Sequence, residues 1–97
     1  MLTGKQRRFL RGLGHHREPV VQVGKDGLTE GLVAALDVAL DTHELVKIKL
    51  GESAGVDRRS MGAAVAEAAG GELVQVLGRT VLVYRRRWRR IIAVGVT

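Results

Sequence analysis

The chain has 97 residues, 45% of them apolar, with 16 Lys/Arg against 10 Asp/Glu and a formal charge of +6. That length allows one domain with one modest core, and the apolar fraction is too high for a disordered tail. Cysteine is absent, which excludes a disulfide scaffold and thiolate metal sites and fits a reducing cytosol.

Thr3-Gly4-Lys5-Gln6 has the form of a capping box, Thr3 at the N-cap and Gln6 reaching back to it. The helix that follows is expected to place Leu2, Phe9, Leu10 and Leu13 on one face and Arg7, Arg8, Arg11 and His15 roughly opposite. Gly14 and Pro19 bracket its end. Arg7, Arg8 and Arg11 also interrupt any apolar segment of a signal peptide; an arginine-bearing amphipathic start is the form of an organelle targeting sequence too, but Phe9, Leu10 and Leu13 read better as part of the fold. No apolar run approaches the roughly 18 residues that span a bilayer.

Val20 to Val23 is a β-branched run closed by Gly24, which predicts a strand. A second helix is expected from Leu28 or Thr29 to about Thr42, with Leu28, Leu32, Ala35, Leu36, Ala39 and Leu40 at helical spacing and Glu30, Asp37 and Asp41 on another face. Glu44 to Leu50 alternates Val46, Ile48 and Leu50 with Lys47 and Lys49, the pattern of a half-exposed strand. Gly51 to Gly55 reads as a loop. Asp57 is the candidate cap of a third helix with Met61, Ala64, Val65 and Ala68 buried, ended by Gly70-Gly71. Leu73 to Leu77 and Thr80 to Tyr84 form a hairpin about Gly78-Arg79. Ile91 to Val94 is a candidate edge strand. The order helix-strand-helix-strand-helix-strand-strand implies a two-layer α/β domain with a mixed four-stranded sheet.

The cations are unevenly placed. Residues 1–27 carry six Lys/Arg against two acids, 28–78 carry four against eight, and 79–97 carry six arginines and no acid. Positive ends around an acidic middle point to a polyanionic partner. Between the first strand and the second helix stands Gly24-Lys25-Asp26-Gly27. Glycines at both ends let backbone approach a ligand closely, and the start of a helix favours phosphate, to which Lys25 adds a mobile charge. KH modules clamp a nucleic-acid backbone with a Gly-x-x-Gly loop. Asp26 repels phosphate and is read as a candidate cap for the helix amides.

The stretches Leu2-Thr3-Gly4-Lys5-Gln6-Arg7, Pro19-Val20-Val21-Gln22-Val23-Gly24, Gly27-Leu28-Thr29-Glu30-Gly31, Glu44-Leu45-Val46-Lys47-Ile48-Lys49 and Val74-Gln75-Val76-Leu77-Gly78-Arg79-Thr80, continued by Tyr84-Arg85, occur in that order. In them the sequence resembles the CRM domain (chloroplast RNA splicing and ribosome maturation), and specifically its stand-alone bacterial YhbY-type members. The resemblance covers residues 2 to about 85. It implies a CRM fold similar to the C-terminal domain of translation initiation factor three, with the Gly-x-x-Gly loop on an RNA-binding surface. It also implies association with precursors of the large ribosomal subunit. By position Gly24, Lys25 and Gly27 match the family's loop, and the basic first helix with Lys5, Arg7, Arg8 and Arg11 has family character.

After Tyr84 the chain departs from the family, which commonly continues with a proline and a less basic tail. Here Arg85-Arg86-Arg87-Trp88-Arg89-Arg90 follows, so the expected division is a CRM domain at 1–85 and a basic extension at 86–97. Guanidinium groups pair bidentately with phosphate, and the Trp88 indole can stack on an unpaired base for roughly 1–3 kcal/mol. The alternative is a solvated charge run with Trp88 folded onto the domain. Lys47 and Lys49 either extend the basic surface or are merely exposed.

His15, His16 and His43 lack metal-ligand spacing, and Asp37 with Asp41 reads as a solvated acidic face rather than a cation site. Ser53 and Ser60 have no signature of an activated nucleophile. The expectation is a non-catalytic, cytoplasmic RNA-binding protein acting in ribosome assembly, with no cofactor, metal, membrane or small-molecule substrate. Its rivals are a nonspecific DNA-binding protein and an interaction module docking an acidic protein partner.

Overall fold

Helix α1, Gly4–His15, starts at the expected capping box: the Gln6 N–H donates to Thr3 Oγ1 at 3.1 Å and the Thr3 N–H to Gln6 Oε1 at 2.8 Å. It is followed by β1 (Pro19–Val23), α2 (Glu30–His43), β2 (Leu45–Leu50), α3 (Arg58–Ala68), β3 (Glu72–Leu77) and β4 (Thr80–Tyr84). The computed structural model describes residues 2–51 and 57–86. The expected strand at Ile91 to Val94, Ser53, Arg87 and Trp88 lie outside the described residues. Among those described, no helix is long and apolar enough to cross a membrane.

The four strands form one mixed sheet in the order β1-β2-β4-β3. β1 pairs parallel with β2, with α2 as the crossover that a parallel pair requires. β2 pairs antiparallel with β4, and β4 with β3 across the Gly78-Arg79 turn, where Gly78 takes φ 57°. The mixed α/β architecture is as expected, with one more layer than the two anticipated. Successive strand residues face opposite sides. Val46, Ile48, Leu50, Val81 and Val83 pack with Leu36 and Leu40 of α2 and Val65 of α3. Leu45, Leu82 and Tyr84 pack on the other side with Leu10 of α1. α2 and α3 therefore cover one face of the sheet, and α1 the other.

Three helix readings change in the structure. Phe9 is 48% exposed, because α1 turns Leu10 to the sheet and only Leu2 and Leu13 flank it. α1 ends at His15, between Gly14 and Pro19 as expected, and Gly14 is also a close-packing residue, since a Cβ there would lie 2.4 Å from Leu82. In α3 the buried positions are Gly62, Val65 and Ala66, with Met61 half-buried and Ala64 and Ala68 exposed. The cause is again a close contact, because Gly62 sits where a Cβ would meet Val76 at 2.9 Å. Asp57 precedes α3 but makes no cap bond with its side chain. Instead it accepts the Ser60 hydroxyl at 2.8 Å, which holds its carboxyl below the ordinary value.

Glu44, expected to open β2, ends α2 instead at φ 63°. A non-glycine residue there costs on the order of 1–3 kcal/mol. The geometry holds because Glu44 is buried, its N–H donates to the Leu40 carbonyl at 2.9 Å, and its own carbonyl accepts the Arg85 N–H at 2.9 Å.

Candidate nucleic-acid interface

Gly24-Lys25-Asp26-Gly27 is a tight turn at the end of β1, closed by the Gly27 N–H donating to the Gly24 carbonyl at 3.0 Å. Gly27 takes φ 69°, a region that β-carbon-bearing residues avoid, so the second glycine is a conformational requirement. Gly24, Lys25 and Asp26 are exposed. The loop does not run straight into α2. Leu28 and Thr29 intervene, and Thr29, not Asp26, caps the helix by accepting the Leu32 N–H at 3.1 Å. Asp26 is left as an exposed carboxylate in the turn, and one of the helix amides expected to meet phosphate is already bonded.

The loop has neighbours that its sequence position does not reveal. The Gly51 N–H donates to the Val23 carbonyl at 2.9 Å, and the Leu50 N–H to the Arg79 carbonyl at 2.7 Å. The turn after β1, the end of β2 and the β3–β4 turn thus meet at one end of the sheet. Gly51 is tightly placed, since a Cβ would come within 3.1 Å of the Val23 carbonyl oxygen.

The expected cations divide into three groups. Lys5 and Arg8 are exposed on α1, and Arg11 is half-buried. Arg7 is also half-buried and donates to the Leu73 carbonyl, so part of its hydrogen-bonding capacity fastens α1 to β3. Arg85 corrects the expectation most. Its Nη1 lies 2.6 Å from Asp37 Oδ1 and 2.9 Å from the Ala69 carbonyl, and its Nη2 lies 2.9 Å from the Asp37 carbonyl and 3.4 Å from Asp41 Oδ1. The acidic pair on α2, expected to be only solvated, is the seat of this guanidinium.

Arg85 also stands at the wrong end of the sheet for the loop. It follows Tyr84, which pairs with Leu45, whereas the loop follows Val23, which pairs with Leu50. The five steps of β2 between those rows separate them by roughly 17 Å. Arg86 is exposed.

Sequence reading left two lysines undecided that the structure places. Lys47 is half-buried and Lys49 exposed, both on the α1 side by alternation from Leu45. That side carries Lys5, Arg8, Arg11, Lys47 and Lys49. The outer surface of α2 and α3 carries Glu30, Asp37, Asp41 and Glu67, with Arg58 and Arg59 at the start of α3. With Arg85 seated on Asp37 and Asp41, that surface sets four carboxylates against three arginines and is nearly balanced, so the domain has one strongly basic and one nearly neutral side. Among the described residues, no group of three or more His, Asp or Glu side chains could hold a metal ion.

Comparison with known proteins agrees with this architecture. The "Probable RNA-binding protein YqeI" of Bacillus subtilis is 36% identical over 85 residues, covering 88% of each chain. The "RNA-binding protein" of Haemophilus influenzae is 43% identical over 88 residues, covering 87% of this chain and 85% of that one. The solution structure of the hypothetical protein SAV1595 from Staphylococcus aureus matches with a TM-score of 0.82 at 35% identity, over 98% of both chains. The family model of the CRS1 / YhbY (CRM) domain matches residues 2–85, and the chain belongs to that family.

Proposed function

We propose that this chain is a non-catalytic, cytoplasmic RNA-binding protein that holds a phosphate backbone between its glycine loop and the α1 side of its sheet. The observation that carries the reading is the two-sided charge: the exposed Lys25 turn adjoins the lysine-bearing strand β2, while the acids of α2 and α3 face the other way. A polyanion is attracted to the first side and gains little from the nearly balanced second. Close backbone approach at Gly24 and Gly27 supplies position, and the surrounding cations supply most of the affinity. Relatives named as RNA-binding proteins, alike over nearly the whole domain, support RNA over DNA. The family resemblance further supports RNA of large-subunit ribosomal precursors as the partner.

Lys25→Glu is expected to weaken RNA binding by roughly tenfold, because it removes one phosphate contact and adds a repulsive charge beside the path. Glu67→Lys, a change of charge equal in size and opposite in sign on the far side, is expected to move affinity little and upward. Titration across a salt series checks both; equal affinities for Lys25→Glu and the parent at every salt concentration would remove the loop from the site. Crosslinking in cells, followed by sequencing of the bound RNA, tests the partner. Recovery of large-subunit ribosomal RNA is expected, and recovery of dispersed messages alone would defeat the assembly role.

A further inference from the structure

Between α1 and the glycine loop, the α1 side of the sheet has an uncovered row. Gln22 pairs with Lys49, Lys49 with Thr80 and Thr80 with Leu77, so these four residues lie side by side across all four strands. All point away from α2 and α3. Gln22 and Leu77 each adjoin a residue packed into the α2–α3 core, Val23 and Val76, while Thr80 stands one alternation from Leu82 and Lys49 two alternations from Leu45, residues that α1 covers. α1 packs on Leu45, Val74, Leu82 and Tyr84 and stops short of the row. Gln22 and Lys49 are exposed, Thr80 is half-buried, and Leu77 is 61% exposed, an unusual state for a large apolar residue in a strand.

We propose that this row is a second part of the RNA site, the floor over which a single-stranded segment runs perpendicular to the strands from the glycine loop toward the β3 edge. The proposal rests on the RNA-binding reading above and assigns it a path. Strands stand about 4.8 Å apart, so the row is roughly 14 Å long, about four nucleotides of a stacked strand at about 3.4 Å each. Its chemistry is that of a backbone track. Lys49 supplies a phosphate charge with Lys47 one step behind it. The Gln22 amide can donate to and accept from a ribose 2′-hydroxyl. The Thr80 hydroxyl already donates to the Leu77 carbonyl at 2.8 Å and keeps its acceptor capacity. Leu77 offers an apolar end against which a base face can rest. No aromatic side chain stands in the row, so it lacks the stacking platform through which single-strand modules grip individual bases, and binding along it follows the backbone rather than the sequence.

The test uses the full chain and a short single-stranded oligouridylate. Lys49→Gln is expected to weaken binding by roughly tenfold and to lower the salt slope by about 0.7, one phosphate contact on a single strand. The chain has no cysteine, so Leu77→Cys and Val38→Cys each create a unique attachment site for a photocrosslinker. Val38 is 65% exposed on α2, on the side away from the row. Crosslinking to RNA from position 77 and not from position 38 is expected. Circular dichroism melts matching the parent confirm that the exposed substitutions leave the fold intact. If Lys25→Glu weakens binding while Lys49→Gln keeps the parent's slope and position 77 gives no crosslink, the row is overturned and the loop stands. If Lys49→Gln and position 77 respond while Lys25→Glu does not, the row stands and the loop fails. Crosslinking equally from position 38, or no binding of oligouridylate by the parent, overturns the row.

Discussion

Leu10→Ala is expected to lower the stability of this domain by about 3 kcal/mol, a large share of the roughly 5–15 kcal/mol that folded domains have. Leu10 is the only apolar side chain of α1 that is completely buried, and its partners Leu45, Val74, Leu82 and Tyr84 form a small cluster separate from the main core. The remaining ties of α1 are few. Leu2 and Leu13 flank the cluster, Arg7 donates to the Leu73 carbonyl, and the Leu2 N–H donates to Glu72 at 3.1 Å. A cavity under Leu10 cannot be refilled by α1 sinking toward the sheet, because Gly14 already touches Leu82 with no space for even one more carbon. Thermal melting should show a fall in Tm of roughly 12–24 °C. Hydrogen exchange should accelerate first in α1, with β2 and β4 protected longest. A loss below about 1 kcal/mol would mean that α1 is held by its polar contacts instead. Since α1 also carries Lys5, Arg8 and Arg11, its loosening should weaken RNA binding as well.

The elements were legible wherever local signals agreed. The Thr3–Gln6 capping box, the β-branched run before Gly24 and the turn at Gly78-Arg79 each name their own structure, and each is found there. The faces of the helices were less legible, for one physical reason. Periodicity counts apolar residues, whereas Gly14 and Gly62 face the sheet because they lack a side chain, which moves the contact line away from Phe9 and from Ala64. Glu44 has no local mark of its left-handed turn, since a glycine is the usual occupant and this position is sustained by burial and by the tertiary bond from the Arg85 N–H to its carbonyl. The site was legible in part. The Gly24–Gly27 turn and the alternation of Lys47 and Lys49 could be read directly, but only strand register joins Gln22, Lys49, Thr80 and Leu77 into one row. Composition counts arginines without saying which are already engaged, and so it grouped Arg85 with the cations expected to meet RNA.

Arg85→Met is therefore expected to cost about 2 kcal/mol of stability and to leave RNA affinity within about twofold of the parent. The ion pairs supply the smaller share. Asp37 and Asp41 are 64% and 78% exposed, and pairs with such solvent contact are worth about 0–1 kcal/mol. The larger share comes from the guanidinium donating to the Ala69 carbonyl, which lies at the C-terminal end of α3 where carbonyls lack helical partners, and to the Asp37 carbonyl in α2. One side chain leaving the end of β4 thus ties together the two helices that cover one face of the sheet. Methionine keeps the apolar stem and removes every donor, so the comparison isolates the hydrogen bonds. Asp37→Asn should then cost well under half as much as Arg85→Met, and raised salt should narrow the difference between Asp37→Asn and the parent while leaving the Arg85→Met deficit nearly unchanged. Arg85→Lys should recover only part of the loss, because an ammonium cannot span both carbonyls as the planar fork does. Chemical denaturation and RNA titration on the same preparations check the division: a variant that melts like the parent yet loses RNA affinity tenfold would return Arg85 to the binding surface.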